Sequence, residues 1–187
     1  MKYITSDLHF GHFNIIKHSN RPYTSVYEMD NALITTYNSV VGQDDTTYIL
    51  GDFCYRSQND ATYYLDQLNG KKIFIIGNHD KQQLQNIKRH PSVILCVDYH
   101  EVRREDNKWA VMSHYPMAEW NGAYHGSVML HGHCHGTKQF PGKIIDVGYD
   151  AHKRILTLDE AIDMANARPA YEESWKQYET NRNNTIR

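Results

Sequence analysis

The chain has 187 residues, of which 40% are hydrophobic, and a formal net charge of −2 at pH 7. This length fits one domain that can bury a core, and no stretch reaches the roughly 18 consecutive apolar residues that a membrane-spanning helix needs. A slightly negative charge gives no electrostatic basis for binding long nucleic acid. We therefore expect neither a membrane nor a long nucleic acid as a partner.

The N-terminus and the cysteines favour a cytoplasmic protein. The first seven residues already contain a lysine and an aspartate, too early for the apolar region of a signal peptide. Cys54, Cys96 and Cys134 are an odd number without a paired framework, which favours a reducing compartment. We predict a single domain over residues 1–169 and a polar tail or docked helix over residues 170–187.

The first half of the chain alternates short apolar runs with amphipathic stretches. Runs rich in β-branched and aromatic residues predict three strands, at Lys2–Ser6, Thr46–Gly51 and Lys71–Gly77. The capping-box spacing of Ser25 and Glu28 predicts a helix that runs to about Val41. A second helix is predicted from Asp60 to Leu68. This βαβαβ order is typical of a parallel or mixed sheet with helical crossovers.

The second half contains strand-like runs with little helix between them. The predicted strands are Val93–Asp98, Lys108–Ser113, Ser127–His131 and Lys143–Val147. Residues 105–107 have the composition of a hairpin turn, so we expect a second, more antiparallel sheet. The capping-box spacing of Thr157 and Glu160 then predicts a helix that stops before Pro169.

Polar side chains suited to chemistry follow five of the predicted strands. The fragments are Asp7-Leu8-His9, Gly51-Asp52, Gly77-Asn78-His79-Asp80, His114 and Gly132-His133-Cys134-His135. Each fragment alone is weak, because an Asp-x-His or a Gly-Asp pair is common by chance. A chance arrangement would scatter these residues over helices and surface loops, whereas ligands of open α/β sheets bind beyond the carboxyl ends of strands. We therefore predict one joint site.

The residue types at this site indicate two metal ions. Carboxylate and amide oxygens mixed with imidazole nitrogens suit manganese, iron, zinc, cobalt or nickel. The candidate ligands are Asp7, His9, Asp52, Asn78, His114, His133 and His135. Seven are too many for one tetrahedral ion and suit two ions that share a ligand. A structural zinc site built from residues 130–136 alone would leave Asp7, Asp52 and Asn78 without a role.

These ordered motifs resemble those of the calcineurin-like metallophosphoesterase superfamily. The phrases DLHFGHFNII, NRPY, EMDNALI, YILGDF, WNGAYHGS and LHGHCHG are similar to a branch of small bacterial and phage-encoded members, over residues 1–162. The resemblance implies an α/β fold, with a sandwich of two mixed β-sheets flanked by α-helices. It also implies two divalent metal ions at the strand ends, for which we expect manganese first.

The resemblance further implies a role for each ligand. One ion would be held by Asp7, His9 and His135, the other by Asn78, His114 and His133, and Asp52 would bridge them. A hydroxide shared by the ions, from water whose pKa falls to about 7, would attack phosphorus in line with the leaving oxygen.

A histidine beside this ligand set is expected to act as the general acid. His79 adjoins ligand Asn78 in sequence and would protonate the leaving oxygen. Asp80 would orient the His79 imidazole, or would instead cap a helix that begins near Lys81.

Several further residues are candidates for the surroundings of the site. His12 would line it or cap the next helix, and His131 would support a ligand by a hydrogen bond. Basic candidates for a substrate phosphate are Arg21, Arg56 and Lys138, with a solvated surface charge as the alternative. Aromatic rings that could stack on a base, or pack in the core, are Tyr55, Tyr115, Trp120 and Tyr124.

The leading functional hypothesis is a phosphodiesterase that hydrolyses a nucleotide-like ester, such as a cyclic nucleotide or a short oligonucleotide. A phosphomonoesterase is the alternative within the same chemistry. A metal-binding scaffold protein without turnover is the alternative of another class. The expected partner is a small phosphoester, and the sequence leaves the oligomeric state open.

Overall fold

Two mixed β-sheets lie at the centre of the protein, which is represented by a computed structural model that describes residues 1–170. The strands are β1 Lys2–Thr5, β2 Thr46–Ile49, β3 Lys71–Ile75, β4 Val93–Val97, β5 Tyr99–Arg103, β6 Trp109–Ser113, β7 Val128–His131, β8 Ile144–Asp146 and β9 Leu156–Thr157. The helices are α1 Phe13–His18, α2 Val26–Asn38, α3 Ala61–Leu65, α4 Leu84–Arg89, α5 Tyr149–His152 and α6 Leu158–Asn166.

Both sheets combine parallel and antiparallel pairs. The first sheet has the order β4-β3-β2-β1-β9, in which β1 to β4 are parallel and β9 is antiparallel to β1. The second has the order β5-β6-β7-β8, in which β5 is antiparallel to β6 and the other pairs are parallel. The predicted sandwich of two mixed sheets flanked by helices is therefore confirmed.

The second sheet was expected to be more antiparallel than the first, and only one of its three strand pairs is antiparallel. Its hairpin joins β5 to β6 through a short turn, as the sequence of residues 105–107 indicated. The segments 114–127 and 132–143, however, are long enough to carry β6 to β7 and β7 to β8 as parallel crossovers. Strand composition alone does not distinguish the two directions.

Helix caps appear where the sequence predicted them. Ser25 Oγ accepts the Glu28 N–H at 3.1 Å at the start of α2, and Thr157 Oγ1 accepts the Glu160 N–H at 3.2 Å at the start of α6. Helix α2 ends at Asn38 rather than near Val41, and α3 is shorter than the predicted helix. In residues 1–170 no helix has both the length and the apolar character to cross a membrane. The tail or docked helix was predicted over residues 170–187, of which all but residue 170 lie outside the described part.

Alternation along the strands of the first sheet divides the core into two layers. Ile4 and Leu50 are buried together with Met112 and Leu130, between the two sheets. Neighbouring side chains of the first sheet, such as Tyr3, face the opposite way and pack with the buried residues of α1 to α4. Both sheets are thus fixed by packing, which holds the loops at their strand ends in place.

Candidate metal centre

Five strand ends bring the seven predicted ligands to one place. Strands β1, β2 and β3 run parallel and lead to the segments carrying Asp7, His9, Asp52 and Asn78. Strands β6 and β7 are parallel and lead to His114, His133 and His135. A bridge between Ser6 and Gly148 joins the end of β1 to the segment after β8. The ends of the two sheets therefore meet.

The backbone at this edge adopts a conformation that side chains other than glycine rarely take. In residues 1–170, five of the nine non-glycine residues with positive φ are predicted ligands. They are Asp7, His9, Asp52, His133 and His135, with φ between 50° and 68°. Left-handed backbone at non-glycine residues is strained, and such strain concentrates at functional sites. This strained backbone lowers the stability of the fold and sets the direction of the five side chains.

The first group of candidate ligands consists of Asp7, His9 and His135. Asp7 Oδ1 lies 3.9 Å from His9 Nε2 and 3.8 Å from His135 Nε2. One donor atom from each residue lies within 4.8 Å of the others. Because metal–ligand bonds are about 2.0–2.2 Å long, an ion between these atoms could reach all three.

The second group consists of Asp52, His114 and His133, whose donor atoms also lie within 4.8 Å of one another. Asn78 Oδ1 lies 2.9 Å from His114 Nε2 and so belongs to the same place. A single Asp52 oxygen, Oδ2, lies 3.5 Å from His114 Nε2 and 3.6 Å from His9 Nε2. This oxygen lies between the two groups, which is the position that a bridging ligand needs.

Buried polar atoms without partners indicate that these groups suit cations. In the described residues, Asp7 Oδ1 and both ring nitrogens of His9 are buried and make no hydrogen bond. Burial raises the pKa of the Asp7 carboxyl to about 8 and lowers the pKa of His9 well below its ordinary value. Unpaired buried polar groups are costly, and a coordinated cation would supply the missing partner.

The tautomer of His114 supports the same conclusion. His114 Nδ1 lies 2.7 Å from the Leu50 carbonyl oxygen, which can only accept a hydrogen bond. Nδ1 therefore carries the proton, and the lone pair of Nε2 faces the oxygens of Asn78 and Asp52. His114 Nε2 and the two oxygens are three acceptor atoms directed at one point, which fits a divalent ion. The other ring nitrogen, Nδ1, is held by a hydrogen bond to a carbonyl, as is usual for metal-binding histidines.

Comparison with known proteins agrees with this arrangement. The model of the family described as calcineurin-like phosphoesterase matches residues 3–177. The chain belongs to the calcineurin-like phosphoesterase family. Membership implies metal-dependent hydrolysis of phosphoesters, with divalent metal ions as cofactors.

Relatives of this phosphoesterase occur in phages and in an archaeon. The Gene 66 protein of Mycobacterium phage L5 is 29% identical over 88% of this chain and 93% of its own length. An uncharacterized protein of Methanocaldococcus jannaschii is 47% identical over 42% of this chain, a match that spans only 46% of that protein. The crystal structure of an Aquifex aeolicus protein of unknown function superposes with a TM-score of 0.68 at 25% identity, covering 88% of this chain and 98% of that one.

Asp80 does not have the role that the sequence suggested. Its Oδ2 accepts the main-chain N–H groups of Asp52 at 2.9 Å and Gly77 at 2.8 Å, and its Oδ1 accepts the Phe53 N–H at 2.9 Å. The prediction that Asp80 orients the His79 ring is wrong, because three backbone donors occupy the carboxylate. Asp80 instead ties the Asp52 loop to the loop that carries Asn78.

His79 lies beside the ligands with part of its ring open to solvent. Its main-chain N–H donates to Asp52 Oδ1 at 2.9 Å, and its Nε2 lies 3.9 Å from Asp52 Oδ2. The Tyr55 ring is 4.0 Å away between centroids, and the His12 ring is 6.4 Å away. His12 was predicted either to line the site or to cap the next helix. Its side chain makes no cap hydrogen bond to α1, and its ring lies beside the site. Burial lowers the pKa of His12 to about 4.

Arg21 is not available to a substrate phosphate, contrary to that part of its prediction. It is buried, and its guanidinium donates to the carboxylate of Asp150 at 3.0 and 2.9 Å. It also donates to the main-chain oxygens of Asp7 at 2.7 Å and Leu8 at 2.8 Å. Arg21 therefore supports the ligand loop from behind, and because it is buried it is not the solvated surface charge that was the alternative.

His131 supports the ligand loop through its backbone. Its Nδ1 donates to the Gly132 carbonyl at 2.7 Å, and its ring is buried beside Phe140. The expected hydrogen bond to a ligand side chain is therefore replaced by one to the main chain next to His133. Gly132 has no room for a side chain, since a Cβ there would lie 1.9 Å from Ser6 Oγ and 2.6 Å from Asp7 Oδ2.

Asp150 was missed by the sequence analysis. It lies 2.8 Å from His135 Nδ1, and it also receives hydrogen bonds from Arg21 and Lys153. Although burial raises the pKa of Asp150, the hydrogen bonds from His135 and Arg21 hold it far below its ordinary value. Asp150 lies in the first turn of the short helix α5, and no motif spacing distinguishes it from an ordinary first-turn acid.

The remaining predicted residues lie around the centre at different depths. Tyr115 is 49% exposed and its ring is 4.7 Å from the His133 ring, whereas Trp120 is buried. Tyr124 is exposed and donates to Glu119. Lys138 lines a cavity of about 470 Å³ together with His133 and His135. The surface beside the ligands thus offers both aromatic and cationic groups.

Proposed function

We propose that the protein is a two-metal phosphodiesterase that acts on a nucleotide-like or cyclic nucleotide ester. The proposed ligands of one ion are Asp7, His9 and His135, those of the other are Asn78, His114 and His133, and Asp52 is shared. The observation that carries this proposal is the Asp52 Oδ2 atom, 3.5–3.6 Å from a histidine nitrogen of each group. Divalent ions, with manganese expected, supply Lewis acidity and lower the pKa of a water nucleophile.

In this proposal His79 donates the proton to the leaving oxygen. Its ring is about one-third exposed and can therefore reach a substrate bound over the ligands. The hydrogen bond from its main-chain N–H to Asp52 ties the position of the ring to the ligand set. A positioned histidine contributes about 10²–10⁴-fold to the rate as a general acid.

The pairing of Arg21 and the rings beside the centre support a diester over a monoester. A diester carries one negative charge, whereas a monoester carries up to two near neutral pH, because its second pKa is about 6. The buried cation nearest the ligand loop, Arg21, is already neutralised by Asp150. Rings on two sides, the half-buried Tyr55 at His79 and the exposed Tyr115 at His133, are suited to stacking on a base.

The remaining parts of the proposal concern the location and the size of the substrate. We propose a cytoplasmic enzyme that acts on a small phosphoester and not on long nucleic acid or on a membrane. The free cysteines Cys54, Cys96 and Cys134 support a reducing compartment, and the net charge of −2 supports a small substrate.

Two chromogenic substrates test the reaction. With manganese added, the protein should hydrolyse bis-(p-nitrophenyl) phosphate faster than p-nitrophenyl phosphate. Cleavage of the monoester alone would show a phosphomonoesterase, and hydrolysis of neither by the metal-loaded protein would favour a scaffold. Asp52→Asn should abolish turnover, while Asp44→Asn, at an exposed acid outside the site, should retain it.

A further inference from the structure

A second cavity, of about 570 Å³, takes no part in the mechanism described above. Four of its lining side chains are large aromatic rings, and three of them are unusually exposed: Phe13 is 65% exposed, Tyr27 79% and Tyr63 50%. We call this space the aromatic cavity. Its volume falls in the range of small-molecule sites, about 300–1,000 Å³.

Two residues of the aromatic cavity connect it with the segments that carry the metal centre. Gly11 and Arg56 line it, and Gly11 lies in the chain between His9 and His12. Arg56 directly follows Tyr55, whose ring is 4.0 Å from the His79 ring. The contacts from His79 to Tyr55 and from Tyr55 to Arg56 therefore lead from the proposed acid to the edge of this cavity.

Arg56 supplies positive charge at this boundary. It is exposed, its Cζ lies 5.2 Å from the centre of the Tyr55 ring, and in residues 1–170 it has no carboxylate partner within 4.0 Å. An unpaired guanidinium over an aromatic ring is suited to a phosphate or to a stacked base. The cation thus lies between the place of bond cleavage and the aromatic rings.

The floor of the aromatic cavity has the opposite charge. The Asp30 carboxylate lines it and accepts single hydrogen bonds from the Gly11 N–H and the Tyr64 hydroxyl. Its two oxygens have capacity for further donors, such as the N–H groups of a base. An acidic floor disfavours a phosphate deep in the cavity, so an occupant should place its phosphate towards Arg56 and its uncharged ring inside.

We propose that the aromatic cavity binds the leaving nucleoside of the diester. The base stacks on Phe13 and Tyr27, and Arg56 contacts the sugar–phosphate link to the metal centre. This inference rests on the proposed phosphodiesterase function and adds the substrate class to it, a diester with a nucleoside on the leaving side. Bases stack on aromatic side chains irrespective of sequence, so the subsite should tolerate different bases.

The test compares two diesters on the same protein samples. Thymidylyl-3′,5′-thymidine carries a leaving nucleoside, and methyl p-nitrophenyl phosphate does not. For Phe13→Ala and for Tyr27→Ala, the ratio of kcat/KM for the dinucleotide to that for the methyl ester should fall about tenfold, as expected for the loss of one stacking contact. Arg56→Gln should lower the same ratio. Both rings are exposed, so neither substitution should unfold the protein.

The matched control is Tyr99→Ala, which removes an exposed ring on β5 and should keep the wild-type ratio. Binding of thymidylyl-thymidine to Asp52→Asn, measured by calorimetry, should also weaken about tenfold when Phe13→Ala is added. If the wild type cleaves both diesters and the substitutions leave the ratio unchanged, the subsite is wrong and the phosphodiesterase stands. If the wild type cleaves neither diester, the proposed function fails. If Phe13→Ala leaves the binding of thymidylyl-thymidine to Asp52→Asn unchanged, the subsite is wrong whatever the activity.

Discussion

At the scale of single residues, the loop around His79 connects the proposed acid with the proposed ligands. The His79 N–H binds Asp52 Oδ1, while Asp80 holds the main chain of Asp52, Phe53 and Gly77. The acid is therefore oriented by the backbone of the ligand loops and not by a carboxylate on its ring. A glutamine at position 79 can keep the backbone contacts and lose only the transferable proton.

His79→Gln should therefore slow esters with poor leaving groups most. For a dinucleotide, whose leaving alkoxide needs a proton, kcat should fall about 100-fold. For a p-nitrophenyl ester, whose phenolate leaves without protonation, the loss should be much smaller. Steady-state kinetics on both esters measures this difference, with His125→Gln, at an exposed histidine, as the control. Equal losses for both esters would argue against an acid role.

Asp150 is expected to act through His135. Asp150→Asn removes the charge that fixes the His135 ring and should weaken metal binding about 10- to 100-fold, the usual effect of losing such a partner. Equilibrium dialysis of manganese measures the change, and thermal unfolding of the metal-free variant separates it from damage to the Arg21 pair. Asp159→Asn, at an exposed acid of α6, is the control. Wild-type manganese affinity in Asp150→Asn would contradict this role.

The sequence identified the residues that meet at the centre better than those that hold them there. Motifs at strand ends are local, so Asp7-x-His9 and His133-x-His135 can be recognised without a structure. The partners of Arg21 and Asp80 are set by distant segments: Arg21 meets Asp150, and Asp80 reaches back to Asp52. Nothing in the local spacing of these residues encodes such contacts.

At the scale of elements, most strand positions were predicted, but the strand directions in the second sheet were not. The runs at β1, β2 and β3 are short and apolar with glycine or polar ends, so they stand out from their surroundings. Strand β5 was missed because its sequence, Tyr99–Arg103, mixes charged and apolar residues at the edge of its sheet. The direction of β7 follows from its crossover connection and its packing, which composition does not report.

The buried Lys72 on β3 should make the free energy of unfolding depend on pH. It is fully buried, and its Nζ donates to the carbonyls of Leu68 at 2.6 Å and Gly70 at 2.9 Å. Burial lowers its pKa from 10.5 to about 8. Between these two pH values the unfolded chain binds more protons than the folded one, so the free energy of unfolding rises with pH.

Lys72→Met removes this titration. The free energy of unfolding of the wild type relative to that of the variant should therefore increase as the pH rises from 8 towards 10.5. Tyrosines and other groups titrate in both proteins, so their contributions cancel in this difference. Urea unfolding at several pH values measures the difference. For Lys71→Met, at the exposed neighbour on the same strand, the curve of unfolding free energy against pH should run parallel to that of the wild type. Parallel curves for Lys72→Met would show that Lys72 keeps its ordinary pKa.

At the scale of the whole molecule, the metal centre connects the two sheets. Asp7, His9, Asp52 and Asn78 follow strands of the first sheet, whereas His114, His133 and His135 follow strands of the second. Each proposed ion takes ligands from both sheets, so pulling the sheets apart would break both coordination shells. Bound ions should therefore stabilise the domain as a unit.

Manganese should raise the unfolding midpoint of the whole domain. A ligand that binds only the folded state adds about 2.7 kcal/mol when its free concentration is 100 times its Kd. Calorimetry of the chelator-treated protein with increasing manganese should show one transition that moves upward, with two ions bound per chain. Because the Asp52 oxygen lies between both groups, Asp52→Asn should reduce both the shift and the stoichiometry. One ion per wild-type chain, or a shift that Asp52→Asn leaves intact, would contradict a shared ligand.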